Sequence, residues 1–181
     1  MNALRPQRPR TPTTEPSDEA EWPTSVTDLS EPELLVLGAY RHWLTGIENN
    51  RPLHFEIVSR EFRLALSGED GSSAFTAFAG MIRILGHGAR RTLRFHYPCC
   101  RAIALDEGQI VALTAACQQN RLLLARSIAE WIVDEAQVGD LMGRTSMLAS
   151  LMDRHGLRLP DRIAAHQQLI MSEATYIDRV H

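Results

Sequence analysis

From Ser30 onward the apolar residues fall at the spacing of helical faces, and that pattern breaks at one place. Ser30-Glu31-Pro32-Glu33 has the form of a capping box with proline in the first turn. Val36, Tyr40, Trp43, Leu44 and Ile47 follow on one face, with Gly46 as the expected stop. A second helix is predicted from Pro52, carrying Phe55, Val58, Phe62 and Leu66 and ending at Gly68. A third starts at Gly71, carries Phe75, Phe78, Ile82 and Leu85, and closes at Gly86-His87-Gly88.

The break is RRTLRFHYPCC, Arg90 to Cys100. Leu93, Phe95 and Tyr97 alternate with Thr92, Arg94 and His96, the period of an extended segment with one buried face, and Pro98 ends it. A lone strand has no evident pairing partner, so the pattern predicts an extended connector that packs Leu93, Phe95 and Tyr97 on the helices.

Helical spacing then resumes. Asp106-Glu107-Gly108-Gln109 is an expected helix start, followed by Ile110, Leu113 and Cys117 on one face. Asn120 is the expected cap of a fifth helix with Leu124, Ile128, Trp131 and Ile132. Asp140 precedes a sixth, with Leu141, Thr145, Leu148 and Met152, stopped by Gly156. After Pro160, residues 161–179 carry a thinner stripe of Ile163, Ile170, Ala174 and Ile177. The prediction is an all-α fold, a single bundle-like domain of six or seven helices over residues 29–181 with one extended connector.

Residues 1–28 read as a disordered Pro-rich tail. Five of the nine prolines lie there (Pro6, Pro9, Pro12, Pro16 and Pro23), with few aliphatics to offset the entropy of ordering. Its start is basic (Arg5, Arg8, Arg10) and its sequel acidic (Glu15, Asp18, Glu19, Glu21). Trp22 stands apart as an aromatic that folds back on the domain or engages a partner.

Composition narrows the function classes. An apolar share of 44 % and a charged share of 23 % suit one globular domain, and a net charge of −3 argues against a surface built to grip nucleic acid. All 19 basic residues are arginine, a habit of GC-rich bacterial genomes more than a clue to mechanism. With no apolar run of signal-peptide or membrane-span length, and three cysteines, the expectation is a cytoplasmic protein that does not enter a membrane.

Candidate chemistry gathers in the connector. His96, Cys99 and Cys100 are the candidate thiol or metal residues, since imidazole and thiolate suit zinc or iron. Adjacent cysteines in an extended chain point to opposite faces, which is a poor start for a tetrahedral site, and a fourth ligand would have to come from Cys117, His42 or His87. Nearby arginines would favour a thiolate. Arg83, Arg90, Arg91, Arg94 and Arg101 form a stretch without an acid, a candidate surface for an anion or a protein partner. Pairing with acidic helices is the structural account of the same residues. No G-x-S-x-G, phosphate-cradling glycine loop or H-E-x-x-H is present, and Asp106-Glu107 reads as a pair of helix-start acids, not a catalytic pair.

Residues 73–156, with Arg90-Arg91, an apolar extended run, Pro98-Cys99-Cys100 and the Asp106-Glu107 helix start, resemble a family of small uncharacterised helical domains of alphaproteobacteria. That family carries no assigned activity, so the resemblance implies no catalytic residue. The expectation is a non-enzymatic regulatory or adaptor protein, without a cofactor, that binds another protein or a second copy of itself. A thiol- or metal-based sensor centred on His96, Cys99 and Cys100 is the first alternative. A nucleic-acid-binding regulator using the arginine stretch is the second.

Overall fold

The computed structural model describes residues 22–162, and their architecture is all-α. Six helices follow in order: α1 (Glu31–Glu48), α2 (Leu53–Ala65), α3 (Glu69–Gly88), α4 (Leu105–Gln118), α5 (Leu122–Ile132) and α6 (Glu135–Arg154). The chain therefore has the helical bundle its periodicity predicts. The predicted helix over residues 161–179 lies almost wholly outside the described residues. Among the described residues no helix is long and apolar enough to cross a membrane.

Helices α1, α2 and α3 pack in sequence, α3 crosses to α6, and α4 lies against α1, α5 and α6. One apolar core joins them, centred on Tyr40, Phe62, Phe78, Met81, Ile110, Leu113, Ile128, Leu141 and Leu148, all fully buried. Trp43 links its edge through rings of Phe55, Phe75 and Phe78 with centroids 5.0–5.8 Å away.

Several element boundaries move from the sequence reading, each for a packing reason. Gly46 does not end α1, which runs to Glu48. Its missing side chain lets the start of α2 approach, since a Cβ there would lie 3.0 Å from His54 and Phe55. Gly71 is likewise inside α3, not at its start: a Cβ would meet the Leu66 carbonyl at 2.6 Å. Asn120 adopts a left-handed φ of 56° in the turn after α4, and α5 starts at Leu122. Helix α6 begins five residues before Asp140, because Val138 continues the buried stripe of Leu141, Thr145 and Leu148.

The tail boundary moves too. Residues 22–28, counted with the disordered tail in the sequence reading, have a defined place. Trp22 is buried on Gly108 of α4, and a short 3-10 turn spans Val26–Asp28. Ser30 then opens α1 as expected, with Glu33 accepting from both the Ser30 amide (2.7 Å) and hydroxyl (2.8 Å).

Candidate functional site

The connector between α3 and α4 is held by three sets of bonds. At its start, Arg90 N–H donates to the Ile132 carbonyl and Asp134 N–H to the Gly88 carbonyl, around an isolated bridge between Ala89 and Val133. At its end, Val26 N–H donates to the Arg101 carbonyl and Ile103 N–H to the Thr24 carbonyl, around a bridge between Ser25 and Ala102. The extended segment thus finds antiparallel partners at both ends without belonging to a sheet.

Its middle hangs on two buried carboxylates in the first turn of α4. Asp106 accepts from the Arg94 amide at 2.7 Å, and Glu107 from the His96 amide at 2.8 Å and the Ala104 amide at 2.7 Å. Free amides of an extended chain are ideal donors to an ionised carboxyl, and a helix N-terminus stabilises the charge. Arg41 completes the assembly from α1. Its Nε and one Nη bind both oxygens of Glu107 at 2.7 and 2.8 Å, and its two Nη groups reach the Cys100 and Ala102 carbonyls at 2.6 Å. Arg41 and Glu107 are 2 % and 0 % exposed, so this is a buried ion pair whose other lone pairs and protons are satisfied. Asp106 and Glu107 are therefore more than helix-start acids: they organise the whole connector.

The five arginines have different surroundings. Arg91 makes a two-pronged pair with Asp106 at 2.6 and 2.9 Å. Arg90 donates to the Val133 carbonyl and lies 3.9 Å from Asp134. Arg83 lines a separate cleft with Asp140 and Arg144 between α3 and α6. Arg94 and Arg101 are exposed.

Cys99 is exposed, Cys100 half-buried and Cys117 buried, and none is in a disulfide. Burial pushes the Cys117 thiol above its ordinary value, partly offset by a hydrogen bond with Ser146. Among the described residues no three His, Cys, Asp or Glu side chains come together as metal ligands, so His96, Cys99 and Cys100 are not gathered into a metal centre. Tyr97 departs from the expected buried face. Leu93 and Phe95 pack on the core, whereas Tyr97 is 51 % exposed, with its hydroxyl beside Glu48, which raises its pKa.

Sequence reading missed Arg41, and placed Tyr40 on the apolar face of its helix without a role at the site. Arg41 is a charged residue inside an apolar stripe, four residues after Leu37 and three before Leu44, and that position is the signal of a buried pair. Tyr40 is fully buried, its hydroxyl has no hydrogen-bond partner among the described residues, and burial together with Asp106 and Glu107 raises its pKa well above the usual phenol value.

A second feature lies away from the connector. A groove of about 470 Å³ runs between α1 and α2. Leu34, Leu35, Ile57 and Leu64 line it, with Glu31 and Glu61 as its acids and Gly38 in its wall. No known family model, curated protein or solved structure matches this chain.

Proposed function

We propose that this is a non-enzymatic regulatory or adaptor protein that works by binding another protein through the groove between α1 and α2. The observation that carries this reading is the pair of large apolar side chains left to water there, Leu34 at 41 % and Leu64 at 74 % exposure. The occupant that fits is an amphipathic helix of a partner, laying leucine-like side chains into the groove. Glu31 and Glu61 favour arginine or lysine flanks on that helix. No atom lies within 4 Å of where a Cβ on Gly38 would stand, which allows close approach.

The test places a photo-crosslinking residue at Leu64 of the full chain in cells that make the protein, and maps the captured peptide. The expected product is one partner peptide of amphipathic, basic character, weakened by added salt. It should be lost in Gly38→Arg, which sends a long side chain into the groove from a position where a Cβ meets no atom within 4 Å. Capture of a second copy, of residues 163–181, or of no defined peptide would overturn the reading.

A thiol-sensor reading has one observation in its favour: the Cys100 carbonyl is a ligand of Arg41, so chemistry at that thiol sits on the clamp. Peroxide would convert a thiolate to a sulfenic acid with loss of hydroxide. Hydrogen exchange over residues 89–104 should then rise on oxidation and stay unchanged in the Cys99→Ser, Cys100→Ser protein. Equal exchange before and after peroxide counts this reading out.

A further inference from the structure

A cleft of about 410 Å³ opens between α1, α3 and the connector, on a different face from the groove. Its walls are aliphatic and aromatic: Leu44, Ile47, Ile82, Leu85, Leu93 and Phe95. Ile47 is 58 % exposed and so stands at the open side. Three polar residues line the same cleft, Tyr40, Arg91 and the exposed Thr92. A mostly apolar concavity with a few convergent polar groups is the usual form of a small-molecule site.

Those polar groups specify the ligand. The Tyr40 hydroxyl is buried with no hydrogen-bond partner among the described residues, which leaves its donor and acceptor unmet there. A tyrosine hydroxyl is protonated at neutral pH, and burial of Tyr40 moves its pKa further from that range. Arg91 is already neutralised by its two-pronged bond to Asp106. An anionic head group would therefore meet no free positive charge, and would approach the buried carboxylates of Asp106 and Glu107. A neutral carbonyl can accept from Tyr40 without that repulsion.

We propose that this cleft binds a small, uncharged, largely aliphatic molecule that presents one hydrogen-bond acceptor, such as an amide or ester carbonyl, to Tyr40. Because the connector supplies Leu93, Phe95 and Arg91, occupancy would also fix the segment that Arg41 and Glu107 hold from its other side. This goes beyond the partner-binding reading and does not depend on it.

Octanamide and octanoate, of equal chain length and opposite head-group charge, are the probes. Amide shifts of the full-length protein are followed by NMR as each is added. Octanamide should shift the amides of residues 91–95 with a dissociation constant in the millimolar range, as a ligand of its size allows. Octanoate should bind at least tenfold more weakly. Tyr40→Phe should melt no lower than the parent, since it removes an unmet buried hydroxyl, yet bind octanamide about tenfold more weakly, the worth of one hydrogen bond. Unshifted connector amides, octanoate binding as tightly as octanamide, or unchanged affinity in Tyr40→Phe would each overturn the assignment. Ile82→Trp, which fills the cleft, serves if Tyr40→Phe fails to fold: octanamide shifts that persist in it would overturn the assignment too.

Discussion

Arg41 grips Glu107 with two parallel bonds of 2.7 and 2.8 Å, joining α1 to the first turn of α4 across 66 positions of sequence. The same guanidinium holds the Cys100 and Ala102 carbonyls, and the same carboxylate holds the His96 and Ala104 amides. Two side chains thus fix the return of the connector to the core.

Breaking this pair from one side should be severe. Arg41→Leu leaves the Glu107 carboxylate buried beside two carbonyls that have lost donors, and the expected cost is about 3–5 kcal/mol in urea denaturation. The double variant Arg41→Leu, Glu107→Leu should cost less than the sum of the single changes, because neither charge is then stranded. Asp106→Asn should cost less than Arg41→Leu, since its partner Arg91 keeps 35 % exposure and can turn to water. Equal or additive losses in all three would show that the clamp is not a unit.

Gly108 is the seat of Trp22. A Cβ at that position would lie 2.7 Å from Nε1 and 3.0 Å from the indole ring, so Gly108→Ala must displace the ring. The expected result is a red shift of tryptophan emission and a loss of about 1–3 kcal/mol, the usual range for overpacking. Trp22→Phe supplies the reference spectrum of Trp43 and Trp131 alone. An unshifted Gly108→Ala spectrum would mean that the indole does not rest there in solution.

The architecture was legible because it rests on local signals: apolar residues at helical spacing and a capping box at Ser30. Ends such as those of α1 and α3 were less so, because Gly46 and Gly71 serve helix–helix approach, and a glycine has the same letter in both roles. The site was half legible. The extended period of residues 91–97 marked the connector, but what holds it comes from Arg41, far away in sequence, and from acids that any helix start would favour. Tyr97 misled because alternation states which side chains share a face, not how far the buried face extends.

The cysteines should react in order of exposure. Cys99 is exposed, Cys100 half-buried, and Cys117 is both buried and pushed toward the thiol form. Brief alkylation at neutral pH with mass mapping should therefore label Cys99 first, Cys100 more slowly, and Cys117 only after denaturant is added. Early labelling of Cys117 would show that the α4 face opens in the native protein. Arg41→Leu should raise the rate at Cys100 while leaving Cys117 protected, which separates local release of the connector from global unfolding.

His42 of α1 and His54 of α2 bring their Nδ1 atoms to 2.9 Å, which needs one nitrogen to donate and the other to accept. Two protonated rings cannot share that contact. Burial lowers the His42 pKa from its ordinary 6.5, His54 lowers it further, and Glu61 of α2 opposes both. The unfolded chain therefore takes up a proton in a pH range where folded His42 stays neutral. Folding stability is fully present above pH 6.5 and falls as the pH drops below it toward the lower folded value. Urea midpoints taken at constant ionic strength through that range should decline in the parent protein and decline less in His42→Gln, which cannot titrate. His54→Gln should also flatten the profile, because it removes the neighbouring ring that lowers the His42 pKa. A parent and a His42→Gln variant with the same slope would place the acid sensitivity of the fold elsewhere, and the contact between the two rings would then be packing alone.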